Sequence, residues 1–207
     1  MMRYQELTRR EKPGKVLDIG CADGSLVSQF IGQGWCAFGI DINYVNVLST
    51  NDKGVFGVVG LLEEPLPYLT DSFDLVLAKE VIEHIIDTRF FVEETFRILR
   101  PGGLFVLSTP NLASLSNRLR LLFGKYPGWM DYELGNGAGH VRYYTLPILR
   151  NQLTSTGFQI EVETGTELAL PLLGRIFPEN KSRIMRGMGE KMPSIAHILV
   201  LGARKPA

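Results

Sequence analysis

Cysteine is nearly absent. The 207 residues include two, Cys21 and Cys36, at a spacing that suits neither a disulfide framework nor a zinc ribbon. Both stand in apolar runs, which predicts buried thiols in a reducing compartment. Charge of one sign is missing too. Twenty-two basic residues balance twenty-two acidic ones, so the chain lacks the basic surplus that phosphate neutralisation needs, and no nucleic-acid partner is expected. No run reaches the roughly 18 apolar residues of a membrane span. The opening Met1-Met2-Arg3-Tyr4-Gln5-Glu6 has no apolar stretch of a secretory signal. A cytoplasmic location is the expectation. Internal repeats and low-complexity tracts are also lacking. Histidine is scarce, with His84, His140 and His197 as the whole supply of imidazole.

Apolar content is ample. At 45% hydrophobic and 21% charged, the composition is that of a globular chain with a sizeable core, and 1–207 reads as one domain. Short β-type runs alternate with helical patterns. Val16 to Gly20 predicts a buried strand, Ser25 to Gln33 a helix, and Cys36 to Asp41 a second strand. Asn43 caps a predicted helix over Tyr44 to Asn51, before a third strand over Val55 to Val59. Phe73 to Ala78 is a fourth strand. A helix opened by Asp87 or Thr88 runs to Arg100-Pro101-Gly102-Gly103, and Gly103 to Ser108 is a fifth strand. Such alternation implies a parallel sheet with helices on both faces. A long connection, 112–143, then reads as a lid on the acceptor side or a cap helix. Thr145 to Thr156 predicts a helix. Phe158 to Thr164 and Ala196 to Ala203 predict two last strands, around an insertion at 165–194.

The chemistry concentrates where strand one feeds its helix. Gly20-Cys21-Ala22-Asp23-Gly24 lets a ligand approach the backbone, yet it is not the G-x-G-x-x-G of a dinucleotide loop. Asp23 would repel a diphosphate. A cofactor without phosphate, carrying a sulfonium and an ammonium, fits better, and Asp18 adds a carboxylate suited to the ammonium. Asp41, about twenty residues beyond the turn at the end of strand two, can accept both ribose hydroxyls. The plain alternative makes Asp18, Asp23 and Asp41 turn and cap residues only.

Val16-Leu17-Asp18-Ile19-Gly20-Cys21-Ala22-Asp23-Gly24-Ser25-Leu26 resembles the first motif of class I S-adenosylmethionine-dependent methyltransferases, type 11. Gly39-Ile40-Asp41-Ile42 resembles their second-strand acidic motif. Asp71-Ser72-Phe73-Asp74-Leu75-Val76 and Leu99-Arg100-Pro101-Gly102-Gly103-Leu104-Phe105 resemble the segments of strands four and five. The likeness covers roughly residues 14–160 in order. It implies a Rossmann-like, seven-stranded, mostly parallel α/β sheet with an antiparallel last strand, and S-adenosyl-L-methionine as cofactor. Two positions depart from the family: Ala22 replaces a usual glycine, and Leu61 stands where an acidic residue often meets adenine. Adenine is then left to groups near Leu61 and Leu62, or to Glu63, with Ile42 beside it.

The resemblance places Lys79 and Glu80 beside the methionine moiety. Glu80-Val81-Ile82-Glu83-His84 also resembles ubiquinone-pathway O-methyltransferases and small-RNA 2′-O-methyltransferases, in which this pattern contributes to a divalent-metal site. That makes Glu80, Glu83 and His84 candidate ligands; the alternative has His84 packing or capping a helix. Gly139-His140-Val141-Arg142-Tyr143-Tyr144-Thr145 resembles a segment at the active-site mouth of relatives. It offers His140 as base or acceptor-orienting group, the alternative being a structural role at the helix entry, with His84 as a second candidate base and Tyr143 and Asn111 as acceptor contacts. Arg118, Arg120, Lys125 and Trp129 stand among leucines, and the Leu168–Phe177 run could pack, meet a partner copy or touch a membrane surface. The reading is methyl transfer to O or N of a small molecule, with lipid- or sugar-linked acceptors among the options, by a monomer or homodimer. The alternatives are a non-catalytic partner subunit that keeps the cofactor pocket, or an aminopropyl transferase.

Overall fold

The computed structural model describes residues 2–128, 139–168 and 181–207. Among them, seven strands make one sheet: β1 (Lys15–Ile19), β2 (Cys36–Asp41), β3 (Phe56–Val59), β4 (Phe73–Lys79), β5 (Leu99–Pro110), β6 (Gln159–Gly165) and β7 (Ile198–Arg204). Their order is β3-β2-β1-β4-β5-β7-β6. Strands β1 to β5 pair in parallel, and β7 runs antiparallel to both β5 and β6. The order reverses between β1 and β4, and an open α/β sheet binds ligands outside its carboxyl ends at such a switch point.

Strand residues alternate between the two faces. Leu17, Ile19, Val76, Ala78, Phe105 and Leu107 form one core with Phe91, Val92 and Ile98 of α4 (Thr88–Ile98) and Leu149 and Leu153 of α6 (Leu146–Ser155). Val16, Leu75, Leu77, Leu104 and Val106 form the other core with Tyr4 of α1 (Met2–Thr8) and Phe30 of α2 (Ser28–Ile31). Helix α3 (Tyr44–Asn51) starts where Asn43 Oδ1 accepts from the Val45 and Asn46 amides, and Asp87 caps α4 through the Phe90 amide.

Several expectations are corrected. The helix predicted over 25–33 shrinks to α2, because Gly24 turns in the left-handed region before it and Gly34 after it. Strand five starts at Leu99, four residues earlier than its predicted start at Gly103. Arg100, Pro101 and Gly102 therefore belong to the strand instead of a turn. Cys36 is exposed, since it opens β2 at the sheet's end; only Cys21 is buried. His197 precedes β7 instead of lying in it. The 112–143 connection contains α5 (Leu115–Leu122), while Trp129 lies outside the described residues. The 165–194 insertion contains α7 (Lys181–Lys191), and most of the Leu168–Phe177 run lies outside the described residues.

Candidate active site

The turn after β1 is held in a shape that a glycine finds easy and an alanine does not. Gly20, Ala22 and Gly24 have φ of +69°, +46° and +74°. Ala22 adopts the left-handed region despite its Cβ, which costs about 1–2 kcal/mol. Its amide donates to Asp41 Oδ2 at 2.9 Å. Asp41 Oδ1 accepts from the Asn43 amide at 2.8 Å and from Asn46 Nδ2 at 3.2 Å. These three donors fix the carboxylate at the tip of β2. Asp23 faces solvent, where its oxygens accept from Ser25 and from Lys53 Nζ.

Asp18 is 2% exposed. Burial pushes its pKa well above the carboxylate range; Lys79 opposes this and Asp41 adds to it. A buried acid next to a glycine turn is a fitting receptor for an ammonium.

Glu80, at the exit of β4, also has a positive φ of +54°. It turns into a cavity of about 520 Å³ on the α1 side of the sheet, lined by Tyr4, Lys79, Glu80, Ser108, Glu167 and Val200 among others. The Tyr4 hydroxyl donates to Ser108 Oγ at 2.9 Å. Burial raises the Tyr4 pKa, the Ser108 contact opposes the rise, and Asp18, Glu80 and Glu83 add to it.

The other side of the same edge holds Glu83, His84 and His140, whose candidate ligand atoms lie within 4.8 Å of one another. The backbone assembles them. Val141 and Arg142 donate their amides to the Glu83 carbonyl at 2.9 and 3.1 Å, and His84 Nδ1 meets the Gly139 carbonyl at 3.2 Å. The two imidazole rings sit 4.9 Å apart. Glu83 is 1% exposed; Oε2 accepts from Thr109 Oγ1 at 2.9 Å, and Oε1 is buried with no partner. Burial lifts its pKa to about 7, against the lowering effects of its own backbone amide, Thr109 and His140. An orphaned carboxylate oxygen beside two imidazoles suits a divalent ion.

A family model described as "Methyltransferase domain" matches residues 3–163. The chain belongs to this methyltransferase family. It is similar to the ubiquinone biosynthesis O-methyltransferase of Homo sapiens, 32% identical over 120 residues, which cover 54% of this chain and 32% of that protein. It thus spans about a third of that relative's length. Its fold is similar to an S-adenosylmethionine-dependent methyltransferase from Methanosarcina mazei, with TM-score 0.70 and 20% identity over 98% of both chains. It is also similar to phosphoethanolamine N-methyltransferase 2 of Haemonchus contortus in complex with S-adenosyl-L-methionine, with TM-score 0.62 and 22% identity over 97% of this chain and 51% of that one. The S-adenosylmethionine-dependent class and the mostly parallel sheet read from the sequence agree with these likenesses.

In this methyltransferase the predicted site residues divide. Asp18, Gly20, Cys21, Ala22, Gly24 and Asp41 converge on one end of the sheet, and the Cys21 thiol is pushed up to about 11 by burial. Ile42 and Leu61 are exposed and Leu62 is half-buried near that end. Glu63, the alternative adenine partner, accepts from the Ile86 amide at 2.8 Å. Glu80 is not in the candidate metal cluster; His140 takes that place, because Glu80 turns toward the Tyr4 cavity. Asn111 is 2% exposed and its amide group is committed within the chain. Its Nδ2 donates to the Ala196 carbonyl at 2.9 Å and its Oδ1 accepts from Ala113 at 2.9 Å. The Tyr143 hydroxyl donates to the His140 carbonyl at 3.3 Å. Tyr4 was not anticipated. Its only sequence signal is the Tyr4–Leu7 apolar spacing of one helical face.

Proposed function

We propose that the chain transfers a methyl group from S-adenosylmethionine to a hydroxyl oxygen of a small molecule, at the edge between the glycine turn and the Glu83–His84–His140 cluster. The cluster carries the reading. A hydroxyl must shed its proton to attack, and these three groups supply what that step needs. When bound, S-adenosylmethionine supplies an electrophilic methyl on a sulfonium. Asp18 would hold its ammonium and Asp41 its ribose, the backbone of the Gly20–Gly24 turn would approach it, and Ile42, Leu61 and Leu62 would serve the adenine. Lys79 and Glu80, which line the neighbouring cavity, would face its methionine end. A divalent ion held by Glu83, His84 and His140 would lower the pKa of the acceptor hydroxyl. In its absence His140 is the base, His84 orients it through ring contact, and Tyr143 anchors its backbone. Of the 112–143 connection, the described residues 112–128 and 139–143 are assigned to the acceptor-side lid. The name of the human relative supports oxygen as the target, and two unbridged cysteines suit a reducing compartment such as the cytoplasm.

The test uses methyl-labelled S-adenosylmethionine with phenols, aliphatic alcohols and amines as acceptors, before and after chelation. Label on oxygen, lost on chelation and restored by Mg²⁺ or Mn²⁺, is expected. Label on nitrogen alone would overturn the oxygen assignment. Unchanged turnover in metal-free protein would overturn the ion, and His140→Ala then separates the roles: turnover should vanish while cofactor binding by calorimetry persists. Cofactor binding with no acceptor labelled would favour a non-catalytic partner subunit.

A further inference from the structure

Helix α5 is inside out. Its one fully buried side chain is polar: Asn117 donates to the Asn111 carbonyl at 3.3 Å and accepts from the Gly128 amide at 2.8 Å. Beyond the half-buried Leu115, its apolar side chains face water instead. Leu122 is 75% exposed and Phe123 72% exposed, and Leu119, Leu121 and Tyr126 continue the exposed surface. Leu119, Leu122, Phe123 and Tyr126 follow the spacing of one helical stripe, which normally turns to the core. Helix α5 ends at Leu122 and Gly124 turns the chain with φ of +64°; beyond it Tyr126 is exposed and its carbonyl accepts from Arg120. Single exposed leucines need no explanation, but a contiguous stripe of this kind does.

The charge around the stripe is one-sided. Arg118, Arg120 and Lys125 lie in 112–128, a stretch without a single Asp or Glu. Among the described residues no carboxylate pairs with them. Arg118 and Arg120 donate instead to carbonyls of Ala113, Ser194 and Tyr126. A second copy of this chain is a poor occupant, because a two-fold contact would set the same three cations against their counterparts. Wet apolar side chains flanked by cations, with a tyrosine at the border, match the boundary between anionic headgroups and acyl chains.

We propose that α5 and its following turn dock the protein on the surface of an anionic lipid bilayer, with Leu122 and Phe123 entering the acyl boundary and Arg118, Arg120 and Lys125 on the headgroups. Helix α5 begins five residues past Pro110, the carboxyl end of β5, so docking would bring that end of the sheet toward the membrane. This inference stands on α5 alone and does not need the oxygen or metal assignment.

The test is co-sedimentation of the full chain with vesicles of phosphatidylcholine alone and of phosphatidylcholine with one-third phosphatidylglycerol. Binding to the anionic vesicles is expected, weakened by salt. Each of Arg118→Gln, Arg120→Gln and Lys125→Gln should reduce it about fivefold. Leu122→Glu with Phe123→Glu should abolish it while melting temperature and S-adenosylhomocysteine binding stay as in wild type, since both residues face water. Absence of binding, or equal binding to both vesicles that the Gln variants leave unchanged, would overturn the proposal. A doubling of mass in light scattering that Leu122→Glu removes would assign the patch to a second copy instead.

Discussion

The Thr109 hydroxyl donates to Glu83 Oε2 at 2.9 Å, while the other oxygen of the same carboxylate is buried with no partner. A neutral amide costs less to bury than a carboxylate in that position, and it keeps the Thr109 contact. Glu83→Gln in chelated protein should therefore melt no lower than wild type. Added Mn²⁺ should raise the melting temperature of wild type and leave Glu83→Gln unmoved. A similar rise in both proteins would show that the ion binds elsewhere.

Gly20 is required twice over. Its φ is +69°, and a Cβ there would stand 2.7 Å from Val81 Cγ2. Gly20→Ala should cost about 2–4 kcal/mol, from the left-handed backbone and the overpacked contact together. Val81→Ala in the same background should return the packing part alone. A double-mutant cycle from urea unfolding should show a coupling of about 1 kcal/mol or more. Strict additivity would mean that Val81 is not what resists the methyl.

Ala22 occupies the left-handed region at φ +46° with an amide that Asp41 needs. Removing the Cβ relieves about 1–2 kcal/mol of strain and concedes about 0.5–1 kcal/mol of unfolded-chain entropy. Ala22→Gly should thus gain about 0.5–1 kcal/mol with cofactor affinity kept. A lower melting temperature would refute the claim that this residue is strained.

The sheet was legible because its signals are local. The unbroken apolar runs of β1, β4 and β5, buried on both faces, the Asn43 and Asp87 caps and the carboxylates at strand ends all follow from residues close in sequence. What the sequence hid depends on distant chain segments meeting. His140 joins Glu83 and His84 only because the Val141 and Arg142 amides find the Glu83 carbonyl. Glu80 was grouped with Glu83 by the family resemblance, but it lines the Tyr4 cavity and stands outside the cluster. Asn111 stood at the right strand end for an acceptor contact, yet carbonyls from 193–196 claim its amide. Tyr4 reaches Ser108 across 104 residues, a distance no window of periodicity spans.

Glu94 and Arg97 hold the loop between β3 and β4 onto α4. Glu94 accepts from the Leu66 amide at 2.8 Å and from Arg97 Nε at 2.7 Å, and Arg97 donates to the Tyr68 and Leu66 carbonyls at 2.8 and 3.1 Å. The Arg97 hydrogen bond lowers the Glu94 pKa from its ordinary 4.5, with burial opposing. As pH falls through 4.5 the unfolded chain takes up the proton first, since its carboxylate has no Arg97 to hold it. The stabilisation is therefore complete above that point and is lost as pH falls through the lower, folded value. Glu94→Gln should cost about 1 kcal/mol near neutral pH, measured by urea unfolding. The gap between the two proteins should narrow steadily in acid. A gap that stays constant with pH would mean that the pair stabilises the loop through its packing and not through its charge.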